Sequence, residues 1–212
     1  VVMETVQAAR GLYIPRDDYL KKVSVRCKEV GALLILDEIQ AGYGRTGRLF
    51  AFEAFDVVPD ILCIAKGMGG GMPIAAFIAS KERMLLLARD PMLGHISTFG
   101  GHPVNCAAAV ATLDILTTTR LIDDVAEKVE VFLERLPHPQ ILEIRHCGLW
   151  FALQMKDKTT MHKATSLALD AGLLIDWFLF NECCIRLAPP LIISVEQIEW
   201  ACEKLHQVFD QL

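Results

Sequence analysis

The run Ala32-Leu33-Leu34-Ile35-Leu36 is apolar without interruption and stops at Asp37; a second, Ile61-Leu62-Cys63-Ile64-Ala65, stops at Lys66. Apolar runs without polar alternation suit strands buried on both faces, the habit of a parallel sheet covered by helices. Residues 16–30 read as a helix with Leu20, Val23 and Cys27 on one face, residues 74–79 as a third strand, and Pro103 to Leu116 as an Ala-rich helix. The alternation predicts βα units around a largely parallel sheet, an α/β class.

Beyond about residue 120 the pattern changes. Leu121, Ile122, Val125, Val129, Phe132, Leu133 and Leu136 mark a long amphipathic helix that ends at Pro137-His138-Pro139. Short elements follow: strands over 141–146 and 148–155, a helix over 161–171, a strand over 185–188, and Trp177 on a loop. The last helix opens with Ser194 and Gln197 as a capping box and places Ile198, Cys202, Leu205 and Phe209 on one face. A boundary near 117–121 separates a sheet-rich domain over 1–118 from a small α+β domain over 119–212. No internal repeat or low-complexity segment interrupts them.

With 212 residues, 53% apolar and 22% charged, the chain can bury a sizeable core without metal or disulfide. The net charge of −5 and the lack of any Lys/Arg run argue against a nucleic-acid or anionic-membrane surface. No apolar run is long enough to span a bilayer and the start lacks a secretory signal, so a cytoplasmic protein is expected. Seven Cys without a CxxC pair fit reduced core thiols. No His pair stands at metal-ligand spacing beside acids, so no metal is assigned.

Ligands of open α/β sheets bind at the carboxyl ends of strands, which is where Asp37 and Lys66 fall. Each has a plainer reading, Asp37 as a cap on loop amides and Lys66 as a surface lysine beside Gly67, Gly69, Gly70 and Gly71. Their pairing is informative. They lie 29 residues apart, about one crossover unit, so an acid and an amine converge on one sheet edge. A carboxylate and a nucleophilic amine suit a cofactor with a basic ring nitrogen and an aldehyde, namely pyridoxal 5′-phosphate (PLP). Glu38, next along an extended chain, points the other way and reads as a structural partner.

Four segments, in order, resemble the class III aminotransferases: Leu34 to Arg48 (LILDEIQAGYGRTGR), Pro59 to Gly67 (PDILCIAKG), Ser97 to Pro103 (STFGGHP) and Ile185 to Leu191 (IRLAPPL). The resemblance implies a fold-type-I PLP-transferase, with 1–118 the C-terminal part of the PLP-binding large domain and 119–212 the small domain. It implies that Asp37 holds the pyridine nitrogen protonated, Ile39 packs under the ring, and Gln40 bonds the phenolic oxygen. Lys66 forms the Schiff base and then serves as the proton-moving base. Thr98 binds the cofactor phosphate from the neighbouring subunit, which implies a homodimer, and Arg186 clamps a substrate carboxylate.

The implied reaction moves an amino group from an amino acid such as ornithine or acetylornithine to a 2-oxo acid, 2-oxoglutarate. Some relatives mask the arginine with a glutamate; the matching segment here, Glu4 to Gly11, carries Ala9 instead, which departs from that pattern. An ω-amino-acid or diaminobutyrate aminotransferase is the alternative within the family, and a catalytically silent fragment acting as an interaction module the alternative outside it. A dinucleotide oxidoreductase fits less well, because no GxGxxG joins a strand to a helix. The chain opens directly on Val1-Val2-Met3. The family's dimer arm, phosphate-cup loop and second ring-stacking aromatic are expected upstream, either in a longer polypeptide or in a separate piece that associates with this chain.

Overall fold

The computed structural model describes residues 1–16, 18–92 and 95–212, so position 17 of the expected first helix lies outside the described residues. The chain separates into two compact units. The first comprises Val1–Thr5, Pro15–Tyr43 and Arg48–Thr119, and the second Val6–Ile14, Gly44–Gly47 and Arg120–Leu212.

In the first unit, β1 (Val2–Glu4), β2 (Ile35–Asp37), β3 (Ile61–Ile64) and β4 (Ala76–Ala79) form one sheet in that order. Both β1–β2 and β2–β3 are parallel, with Asp37 opposite Cys63. The third expected strand pairs antiparallel instead, as β4 on β3. The reason is length, since the link from Ile64 to Ala76 is shorter than the dozen or more residues that a parallel crossover takes. Helix α1 (Tyr19–Glu29) joins β1 to β2 and buries Leu20 and Cys27 against Leu34, Leu36, Leu62 and Ile64. Helix α2 (Lys81–Leu86), unforeseen in the sequence, starts at Ser80, whose hydroxyl accepts from Arg83 N. Helix α3 (Pro103–Thr118) begins with Pro at its first position, where a missing N–H costs nothing.

In the second unit, α4 (Val125–Arg135), β5 (Glu143–His146), β6 (Phe151–Gln154), α5 (Lys158–Asp170), β7 (Asp176–Phe178), β8 (Asn181–Leu187) and α6 (Val195–Phe209) follow one another. The sheet order β5-β6-β8-β7 is antiparallel throughout. Trp177 therefore sits on a strand rather than a loop. Its hairpin turn carries Leu179 and Phe180, 73% and 71% exposed, where a turn normally shows Gly, Asn or Asp. The capping box forms as expected, with Ser194 accepting from Gln197 N and the Gln197 side chain accepting from Ser194 N. The α6 face of Ile198, Cys202, Leu205 and Phe209 packs with Phe132, Phe151 and Leu153 in one core. Among the described residues no helix is long and apolar enough to cross a membrane.

One fully buried charge holds the first unit together. Glu38, just past β2, accepts from Thr5 Oγ1 at 2.8 Å, Ala51 N at 2.7 Å and Phe52 N at 2.7 Å. It ties the exit of β1 to the 3-10 turn Ala51–Phe55. Burial pushes its carboxyl above the usual range, against the pull of these three donors. An acid whose folded value is raised contributes most below its unfolded value and loses that contribution as pH rises through the folded one. The stability advantage of the wild type over Glu38→Gln, from urea titrations across the acid-to-neutral range, is therefore expected to shrink as pH rises; growth with pH would contradict this.

Candidate active site at the β2–β3 edge

Asp37 is the last residue of β2, half-buried, and its Oδ1 accepts from Ile39 N at 2.9 Å. This short loop turns the chain immediately after the strand. It leaves Oδ2 with no hydrogen-bond donor among the described residues. Ile39 and Gln40 occupy that turn, both half-buried. Glu38 points into the protein as expected, so only one of the two adjacent carboxylates stays available. The Cys63 thiol, opposite Asp37 across the two strands, is pushed up by burial first and by the Asp37 charge second.

Lys66 lies two residues beyond β3. Because β2 and β3 run parallel, it leaves the sheet at the same edge as Asp37. Its backbone has φ +46°, a left-handed conformation for a residue with a Cβ. Such strain is of order 1–3 kcal/mol and persists only where its surroundings impose it, most often at functional sites. Those surroundings are identifiable. The 3-10 turn Lys66–Gly69 packs on α3 and leads into Gly70 at φ +54°, where a Cβ would come within 2.3 Å of Thr112 Oγ1 on that helix. The Lys66 side chain is exposed, with no ion pair or hydrogen bond among the described residues.

Thr98 lies in an exposed bend of the same unit, without a hydrogen-bond partner among the described residues. The structure does not bring it into a contact with Asp37 or Lys66.

Arg186 belongs to the second unit, on β8, opposite Ala152 of β6 and Asp176 of β7. Its guanidinium pairs with the Asp176 carboxylate, the two side chains being 32% and 53% exposed. Neither Asp176 nor this pairing was foreseen; a β7–β8 hairpin read from the sequence would have put them face to face. Arg45, in the same unit, donates from Nη1 to Leu149 O at 2.7 Å and to Pro189 O at 2.6 Å. Burial, and second the Arg186 charge, bring its pKa down to about 10. Gly148 lets the chain pass here, because at φ +59° a Cβ would come within 2.4 Å of Arg45 O. Ala9 offers only its carbonyl, which accepts from Phe180 N.

The sequence model of the family described as Aminotransferase class-III matches residues 1–209. The chain belongs to the class III aminotransferases. A putrescine aminotransferase of Pectobacterium atrosepticum is 39% identical over all of this chain and 47% of the relative. A solved Bacillus anthracis aminotransferase superposes with a TM-score of 0.93 at 30% identity, covering all of this chain and 52% of the other. The ornithine aminotransferase of Toxoplasma gondii, solved with PLP at partial occupancy in its active site, gives 0.88 at 33% identity over 99% of this chain and 50% of its own. The chain thus spans about half the length of these class III relatives. Its fold is that of the matching half of fold-type-I aminotransferases.

The strain at Lys66 has a measurable consequence. Glycine adopts positive φ freely, so Lys66→Gly is expected to be more stable than Lys66→Ala by ~1 kcal/mol in urea unfolding. The usual order at a helical or extended position, alanine above glycine, would contradict the left-handed backbone there.

Proposed function

We propose that this chain carries the reactive lysine of a PLP-dependent aminotransferase that moves an amino group from an amine-bearing donor to a 2-oxo acid. The observation that supports it best is the placement of Asp37 and Lys66 at one edge of two parallel neighbours, a carboxylate oxygen and an amine that have no hydrogen-bond partner among the described residues. That donor set fits the cofactor, since a carboxylate suits a protonated ring nitrogen and a free amine suits an aldehyde. When bound, PLP supplies an aldehyde for exchange with amines and a ring that accepts electrons from a substrate carbon.

The residues of the chain divide the remaining work. Asp37 Oδ2 would accept the ring N–H and keep its proton in place. Ile39 would pack under the ring, and Gln40 would hydrogen-bond the phenolic oxygen. Lys66 Nζ would hold the cofactor's aldehyde and, when free, would serve as the base that moves a proton at the substrate carbon. Thr98 would hydrogen-bond the phosphate from the neighbouring subunit, which carries with it assembly as a homodimer. Arg186 suits a carboxylate of the substrate, because its planar fork can bind both oxygens at once. Residues 1–118 form part of the PLP-binding large domain and 119–212 the small domain. The donor class is a terminal amine of the ornithine, acetylornithine or putrescine kind, and the acceptor 2-oxoglutarate.

The test uses visible absorption and intact mass of the 212-residue protein with PLP, before and after borohydride. A fixed adduct is expected on the wild type and absent from Lys66→Ala. Asp37→Asn is expected to form the adduct with weaker cofactor affinity and to lose donor-induced bleaching of its absorbance. An adduct that persists in Lys66→Ala would overturn the assignment. Ornithine, acetylornithine and putrescine, added in turn, rank the donors by the bleaching they cause.

A further inference from the structure

Lys66 is not the only residue of the first unit that carries a side chain on a left-handed backbone. Tyr43 stands at φ +56°, and the two meet at one turn. Their meeting point is Gly67, where a Cβ would lie 3.1 Å from Tyr43 Cβ and 3.7 Å from Tyr43 Cγ. Gly67 itself has no positive φ, so what asks for glycine there is the close approach of Tyr43 and not the backbone. Gly70, at the other end of the turn, is confined in the same way by Thr112 of α3. The turn is therefore gripped at both ends, by Tyr43 beside the lysine and by α3 beyond it.

The Tyr43 side chain is braced in turn. Its ring meets that of Phe50 edge to face, with centroids 5.8 Å apart, and Phe50 stacks on Phe52 at 5.9 Å. Phe52 N donates to the buried Glu38 carboxylate, and Gly42 N, just before Tyr43, donates to Glu38 O at 3.0 Å. All three rings pack on the core that α1 covers. The Tyr43 hydroxyl makes no hydrogen bond among the described residues, so the body of the side chain does the holding.

We propose that Tyr43 is a positioning residue for Lys66: braced by Phe50 and seated on Gly67, it holds the turn in the left-handed form from which the lysine presents its amine at the edge shared with Asp37. This rests on the reading of Lys66 as the Schiff-base lysine. A left-handed residue with a Cβ persists only where its surroundings over-determine it, and Tyr43 supplies the contact nearest to Lys66 that does so. The gain is orientational. A lysine that starts from one fixed backbone brings Nζ to an aldehyde more often in a reactive geometry than one that starts from a relaxed loop.

Two readouts test this on the 212-residue protein. The first needs no cofactor: the advantage of Lys66→Gly over Lys66→Ala, about fivefold in the folding constant, is expected to fall below about twofold once Tyr43→Gly is added. Tyr43→Gly removes both contacting atoms and relieves its own positive φ, which offsets part of the lost packing. Gly67→Ala approaches the contact from the other side, and its destabilisation is expected to disappear in the Tyr43→Gly background. The second readout is the rate at which the borohydride-fixed PLP adduct forms, followed by intact mass. Tyr43→Gly is expected to slow it about tenfold, and Tyr43→Phe, which keeps the ring, to retain the wild-type rate. Phe55→Ala, a truncation in the same core at a ring that does not reach Gly67, is expected to leave the rate unchanged. A glycine advantage or a Gly67→Ala penalty that survives Tyr43→Gly would overturn the proposal and leave Lys66 as the reactive lysine. So would an adduct rate slowed no more by Tyr43→Gly than by Phe55→Ala, or one lost in Tyr43→Phe. An adduct that persists in Lys66→Ala, or fails to form on the wild type, would overturn the reading of Lys66 and the proposal with it.

Discussion

Everything at the candidate site depends on the parallel pairing of β2 with β3. Parallel neighbours leave a sheet at the same edge, so the last residue of one and the first residues beyond the other are brought together whatever the intervening chain does. Asp37 and Lys66 are those residues. Had β3 run antiparallel to β2, as β4 does to β3, the lysine would leave at the edge opposite the acid. Ordinary apolar burial enforces the pairing, since Leu36 and Ile64 must both reach the core that α1 covers.

Around that constraint the chain adds two local devices. Adjacent carboxylates at 37 and 38 are sorted by the strand's alternation, one into a buried clamp with three donors and one to the open edge. The left-handed backbone at Lys66 then turns the chain sharply off β3, held by the contact of its turn with α3. In the second unit the logic is electrostatic. The Arg186–Asp176 pair is exposed enough to contribute little to stability, about 0–1 kcal/mol.

Much of this was legible in the sequence, for identifiable reasons. Uninterrupted apolar runs betrayed β2 and β3, and the 3.6-residue period betrayed α1, α4 and α6, because burial on both faces or on one stripe leaves a direct mark on residue type. Asp37 and Lys66 could be singled out because each breaks such a run. The antiparallel β4 was not legible from its own residues, since an apolar strand looks alike in either direction and only the short link decides. Strand β7 and Asp176 stayed hidden because Leu179 and Phe180 are poor advertisements for a turn. The strain at Lys66 leaves no mark in residue type at all, because a lysine is not what a positive φ selects.

The account stands on the claim that the β2–β3 edge is where the cofactor is held. A crystal structure of the 212-residue protein grown with PLP is the most direct measurement. The account predicts electron density continuous from Lys66 Nζ into the cofactor, with the ring nitrogen within hydrogen-bond distance of Asp37 Oδ2. Cofactor density attached to another lysine, or a ring nitrogen facing any group but Asp37, would contradict it.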